Sequence, residues 1–315
     1  MMAFGSDRAP RLSASERERL ERLRNATQLA DLVDLTGVGT EHDAYFEAKG
    51  EWAKLRDSEL PASTPTGDLP GDSVTVDGER FVVHGVTHAD TDAERLFIRA
   101  HVSSFLEAGD SVYCEQGIRP MYFQDIGGVC EMDDYRWALA ECEKRDIDSH
   151  LDGTVGFDSL VEDVTDAASQ FRDAVFSLIH SDGDGYSDAF RRVLGDVASG
   201  FLMSHEDAAM GQDFESFARS KQAAENPRLL GGLQRYYKRM FLPQPLEREW
   251  LRRHDPELEL VSHARNERMA DYAVYHNEAD TSHLIVGAAH QPGLVYYLER
   301  HRDGHRHVDD FELAE

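Results

Sequence analysis

The sequence predicts an α/β fold: a central mixed β-sheet from two related halves, flanked by helices, with a helical insertion or cap between them. Two apolar runs, Phe81-Val82-Val83 and Leu284-Ile285-Val286, lead into segments of one form, Gly85-Val86-Thr87-His88 and Gly287-Ala288-Ala289-His290. Each puts a histidine just beyond a buried strand, where α/β folds keep their ligands. Strand and helix patterns alternate around both segments, and the stretch between them reads as mostly helical and charged.

Taken in order, residues 13–35 predict a helix. Ser13 or Ser15 caps it, Glu16 and Glu18 occupy its first turn, and Leu20, Leu23, Leu29, Leu32 and Leu35 form a stripe. A more polar helix follows over 41–57. The Pro- and Gly-rich stretch 61–71 reads as a linker, so 1–71 is an N-terminal helical extension and 72–315 the main domain. Asp77-Gly78 between Ser73–Val76 and Arg80–Gly85 signals a hairpin. A helix over 91–108 is capped by Thr91 or Asp92 and stopped by Gly109. Ser111–Glu115 is then a buried strand ending in a carboxylate, and this strand–helix–strand unit predicts a parallel crossover. The helical insertion spans about 120–260, with breaks at 153–156, 182–185 and Asn226-Pro227. The end returns to α/β order: a helix over 258–278, a strand over 282–287, a helix over 292–302 and a last strand near 306–312.

Composition narrows the function. The formal net charge of the 315-residue chain is -27, and only five of its 33 basic residues are lysines. DNA and anionic membranes need a basic footprint, so neither is an expected partner. An acidic surface short of lysine suits adaptation to high salt; an ordinary acidic cytosolic protein is the competing expectation. The N-terminal residues lack the apolar core of a signal peptide, and no long apolar run predicts a membrane span. Cys114, Cys130 and Cys142 are odd in number and lack paired spacing, which fits reduced thiols and a cytoplasmic location.

Three further features converge on the two histidines. Glu115 ends the strand expected beside the first histidine strand. Arg265-Asn266 sits on the helix leading into the second. Both histidine segments lie where strand ends meet helix N-termini, which favour anions. The stretches Val83-His84-Gly85-Val86-Thr87-His88, Val112-Tyr113-Cys114-Glu115, Arg265-Asn266-Glu267-Arg268-Met269-Ala270 and Val286-Gly287-Ala288-Ala289-His290-Gln291-Pro292-Gly293-Leu294 resemble the TraB/PrgY/TIKI family, within the wider erythromycin-esterase-like and ChaN-like superfamily. The blocks follow the family's order; the 120–260 region has no counterpart in the resemblance. Arg119 falls near the place where TraB-like members carry an arginine after the glutamate.

The resemblance implies a core of two related halves and, in the TIKI branch, a metal-dependent hydrolase that cuts peptide bonds with Mn²⁺ or Co²⁺. Other branches bind pheromone-like peptides. Carried onto this sequence, it implies His88, His290 and Glu115 as metal ligands. Arg265 would stabilise an oxyanion and Asn266 would orient substrate. Imidazole and carboxylate donors suit Mn²⁺, Co²⁺ or Zn²⁺, and three protein ligands leave a position for water. Glu115 as general base is the alternative role. TIKI members are secreted or membrane-anchored, and neither feature is read here, so their location and substrate do not transfer. The expectation is a metal-dependent hydrolase acting on a peptide or small acyl substrate. The alternative is a non-enzymatic TraB-like protein that binds a peptide or cofactor. A purely structural role would have the histidines cap helices and Arg265 pair with Glu115. Ser181–Asp188 has the flavour of a calcium loop but lacks the spacing of one and reads as a turn before a helix. His301, His305 and His307 read as a solvated strand edge, and Tyr236, Tyr237, Phe241 and Trp250 as core packing.

Overall fold

The computed structural model of the chain describes residues 12–147 and 214–314. Much of the expected insertion, the breaks at 153–156 and 182–185 and the 181–188 loop lie outside the described residues.

The N-terminal segment forms three helices: α1 (Ala14–Arg24), α2 (Leu29–Thr36) and α3 (Glu41–Glu59). The single helix expected over 13–35 is two. Ser13 caps α1 in a reciprocal box with Glu16, and the chain breaks after Asn25. Asp31 then accepts from the backbone of Thr27 and Gln28 and starts α2 afresh. The leucine stripe still does its expected work, because both short helices turn it inward. Leu20, Leu23, Leu29 and Leu32 share a core with Ala44, Tyr45 and Trp52 of α3 and with Leu242 and Leu246. The extension is therefore packed against a late part of the chain.

The sheet has five strands: β1 (Asp72–Val76), β2 (Glu79–Val86), β3 (Ser111–Cys114), β4 (Val129–Glu131) and β5 (Thr281–Gly287). Their order is β1-β2-β5-β3-β4; β1 is antiparallel to β2 and the other pairs are parallel. The mixed α/β sheet flanked by helices is thus present. Asp77 and Gly78 both adopt left-handed backbone at the hairpin, as a two-residue turn between twisted strands requires. α4 (Asp92–Ala108), capped by Thr91 and closed by Gly109, links β2 to β3.

Three expectations need correction. β5 lies between β2 and β3, so the strand ending at Glu115 neighbours the second histidine strand rather than the first. β4 falls inside the segment read as helical; three residues are too short to show a period. No strand forms over 306–312. That tail is tied down by side chains instead, with Arg306 paired to Glu267 and Asp271 and the Arg268 guanidinium 3.6 Å from the Phe311 ring centre. His301 is likewise buried, 2.9 Å from Asp271.

After β3 come α5 (Ile118–Tyr122) and α6 (Asp134–Lys144), and beyond the undescribed residues α7 (Phe214–Glu225), α8 (Leu230–Met240) and α9 (Gln244–His254). The next helix, α10, runs from Pro256–Leu258 through a π-helical turn at Glu259–Ala264 into Arg265–His276, and α11 spans Gln291–Arg302. Strand alternation divides the core between the sheet's two faces. Val112, Cys114 and Ile285 join Ile98 and Val102 of α4, and here Tyr236, Tyr237 and Phe241 pack as expected. Tyr113, Leu284 and Val286 join Met269 and Ala273 of α10 and Leu294 and Leu298 of α11. The three cysteines are free thiols. Among the described residues no helix is long and apolar enough to cross a membrane.

Candidate functional site

The carboxyl ends of β2, β3 and β5 lie side by side, and the residues just beyond them meet. The glycines of the two histidine segments explain how closely. A Cβ on Gly85 would sit 2.8 Å from Cα of Ala288, and one on Gly287 would sit 2.6 Å from Nε2 of His88. Each glycine leaves room for the other segment. Ala288 N–H donates to Val86 O at 2.8 Å and Glu115 N–H to Ile285 O at 3.0 Å, which extends the sheet into the site.

Glu115 is the centre. Its Oε1 accepts from Arg265 Nη2 at 2.6 Å and faces His290 Nε2 at 3.4 Å. Its Oε2 accepts from Gly287 N–H at 2.7 Å and faces His88 Nε2 at 3.3 Å. All five residues expected at the site are therefore brought together, with Asn266 bonded to His290 behind it. Glu115, Arg265, Asn266 and His290 are buried, whereas the His88 side chain keeps 35% of its surface and gives the cluster its access to solvent.

His88 adopts a left-handed backbone, φ 57°, a conformation costing about 1–2 kcal/mol for a residue with a Cβ. The surroundings impose it. Glu94 of α4, itself buried, accepts from Thr87 N–H at 2.8 Å, Thr87 Oγ1–H at 2.6 Å and Tyr122 O–H at 2.9 Å. Three donors on one carboxylate pin the turn that carries His88. His88 caps no helix; Thr91 caps α4. His290 stands at the start of α11, but its side chain makes no capping bond. The Arg265–Glu115 pair of the structural alternative is present.

His290 has a fixed tautomer. Asn266 Nδ2 donates to Gln244 Oε1 at 3.2 Å, and His263 Nδ1 approaches the same oxygen at 3.0 Å. With its amide so oriented, Asn266 turns Oδ1 to His290 Nδ1, 2.7 Å away. That atom donates, so in the neutral imidazole Nε2 is the acceptor nitrogen, and it lies 3.4 Å from Glu115. Gly293 makes this possible, since a Cβ there would collide with the Asn266 amide.

Arg265 lies between two buried carboxylates. Its Nε donates to Asp134 Oδ2 at 2.7 Å, its Nη1 to Val261 O at 3.1 Å, and its guanidinium lies 5.0 Å from the Tyr135 ring centre. Engaged in this way, Arg265 positions Glu115, and Asn266 positions His290. The expected oxyanion and substrate contacts of these two are not what the geometry displays.

Charge makes the site unusual. Burial opposes ionisation of Glu115, yet the facing His290, His88 and Arg265 hold its carboxyl well below the usual range. Burial pulls His290 down to about 4, so at neutral pH its imidazole is uncharged. For His88 burial is outweighed by Glu115, and its pKa is raised. Burial and the nearby Glu115 push Asp134 up despite Arg265. Two carboxylates thus face one permanent cation. Buried charges persist only when compensated, and the raised pKa values of Asp134 and His88 mark where a compensating proton would sit.

A bound cation beside Glu115 would compensate the two carboxyl groups as well. Two imidazole nitrogens and a carboxylate are a donor set suited to Mn²⁺, Co²⁺ or Zn²⁺. Among the described residues, however, no group of three His, Cys, Asp or Glu side chains stands preassembled around a metal position.

Sequence reasoning did not find Asp134, Gln244, His263 or Glu94. Asp134 and Glu94 look like ordinary first-turn acids of helices, and only the fold shows them buried. No known family model, curated protein or solved structure matches the chain.

Proposed function

We propose that the chain is a metal-dependent hydrolase of the TraB/TIKI type, acting on a peptide or another small acyl substrate. One observation supports this most: His88, Glu115 and His290 converge at the ends of three parallel strands, with both imidazoles facing one buried carboxylate. His88, His290 and Glu115 would hold the divalent ion. When bound, it would supply a Lewis acid and a water acidic enough to attack at neutral pH. Arg265 and Gly287 N–H hold Glu115 ionised and oriented. Asn266 holds His290 in the tautomer whose Nε2 is the acceptor nitrogen. Glu94 fixes the turn that presents His88, the solvent-reachable member, toward arriving substrate.

Measuring metal content and peptide or ester hydrolysis tests this, before and after chelation, in wild type and in His88→Ala and His290→Ala. Bound metal and chelator-sensitive turnover, both lost in the variants, are expected. Variants that hold metal as well as wild type would overturn the ligand assignment.

The burial of Glu115 and His290 favours one other reading, a non-enzymatic TraB-like protein that binds a peptide or cofactor. It predicts stabilisation by ligand without turnover.

A further inference from the structure

A second charged site lies away from the sheet ends. α7, α8 and the 61–66 linker enclose a cavity of about 410 Å³, within the range of small-molecule sites, roughly 300–1,000 Å³. Its wall carries Arg219, Arg235 and Arg239. In a chain of net charge -27, three guanidinium groups on one small cavity are a marked concentration of positive charge.

Two carboxylates partly balance them. Asp57 of α3 lies 2.9 Å from Arg235 and 3.6 Å from Arg239. Glu215 lies 2.6 Å from Arg219 and 3.3 Å from Arg239. Arg219 and Arg239 approach the Tyr236 ring at 5.8 and 5.5 Å, so one aromatic ring contacts both. The telling atom is Nε of Arg239. It is buried and has no acceptor, although a buried donor left unmade costs about 1–3 kcal/mol. Ser63 and Gln222 add a hydroxyl and an amide to the same wall. Gly231 leaves the Ser63 hydroxyl its room, since a Cβ there would stand 3.0 Å from Oγ.

We infer that this cavity binds the phosphoryl group of a small metabolite. Three guanidinium groups share two carboxylates among the described residues, and a tetrahedral dianion on this wall would complete that balance. Arginine forks match its oxygens in geometry as well as charge. The inference is independent of the hydrolase reading, because none of its residues touches the His88–Glu115–His290 cluster.

Calorimetric titration with inorganic phosphate, pyrophosphate and AMP, at ionic strength held constant with KCl, tests it. Saturable binding is expected, weakened at least tenfold in Arg219→Gln and in Arg239→Lys and unchanged in His88→Ala. The first removes one charge from a half-exposed side chain; the second keeps the charge and loses the planar fork. AMP binding more tightly than phosphate would identify a phosphate ester as the ligand, and equal affinities the phosphoryl group alone. Absence of saturable binding, or equal affinity in wild type and both arginine variants, would overturn the proposal.

Discussion

Arg265 is the residue on which most of the site depends. It bonds two buried carboxylates and a backbone carbonyl, so removing its charge leaves Glu115 and Asp134 facing each other. Breaking a buried pair from one side typically costs about 3–5 kcal/mol, and we expect Arg265→Met to lose that much in urea-unfolding experiments. Arg265→Lys should recover only part, because an ammonium lacks the fork that reaches Glu115 and Asp134 together. Wild-type stability in Arg265→Met would show the charge balance to be misread. Gly287→Ala tests a different point. The added methyl would meet His88 Nε2, so overpacking of about 1–3 kcal/mol is expected, with metal affinity falling further than stability. The glycines and histidines were legible as a pair because each segment repeats a form. Glu115 and Arg265-Asn266 were legible by chain context. Gln244 and His263 were not, since nothing in a sequence tells which amide will stand behind which imidazole.

At the scale of elements, the clamp between α4 and the turn after β2 decides how His88 is presented. Glu94→Ala strips three hydrogen bonds from one buried carboxylate and leaves Thr87 N–H without its acceptor. Bonds to charged groups contribute about 1.5–3 kcal/mol each, with non-additive totals, so a loss of several kcal/mol is expected. Glu94→Gln should lose less. Unchanged denaturation midpoints in both would remove the clamp from the account. A helix with a periodic apolar face, a cap and a glycine stop, such as α4, falls where the pattern puts it. The π-helical turn before Arg265 does not show in the sequence. It adds a residue to the helix and re-phases its faces, so the side that Arg265 and Asn266 take cannot be read from spacing. The break between α1 and α2 was hidden by a stripe that two short helices serve as well as one.

The whole molecule answers to pH and salt. His84 is buried, bonded through Nδ1 to Pro70 O and through Nε2 to His283, each at 2.9 Å. Burial lowers its pKa to about 3. The unfolded chain takes up that proton near pH 6.5 and the folded chain refuses it, so the unfolded state binds more protons in between. Stability is therefore complete above about pH 6.5 and erodes toward pH 3, by at most about 1.4 kcal/mol per pH unit for this one group. His84→Gln should flatten that acid limb, as read from unfolding midpoints between about pH 6 and 4; an unchanged slope would count against it. Salt acts on the net charge. If acidic self-repulsion dominates, the melting temperature rises toward molar KCl, where the Debye length is only about 3 Å. A fall would mean that the many surface ion pairs matter more, and would end the high-salt interpretation.

The position of β5 governs how the protein is made. Synthesis delivers β1 to β4 first, yet β2 and β3 are not paired with each other; the late strand pairs with both. Until residues 281–287 emerge and thread between those edges, the chain holds two separate sheet fragments and no complete cluster. Contacts this distant in sequence close slowly. The His88–Glu115–His290 centre is complete only once β5 takes its place between β2 and β3.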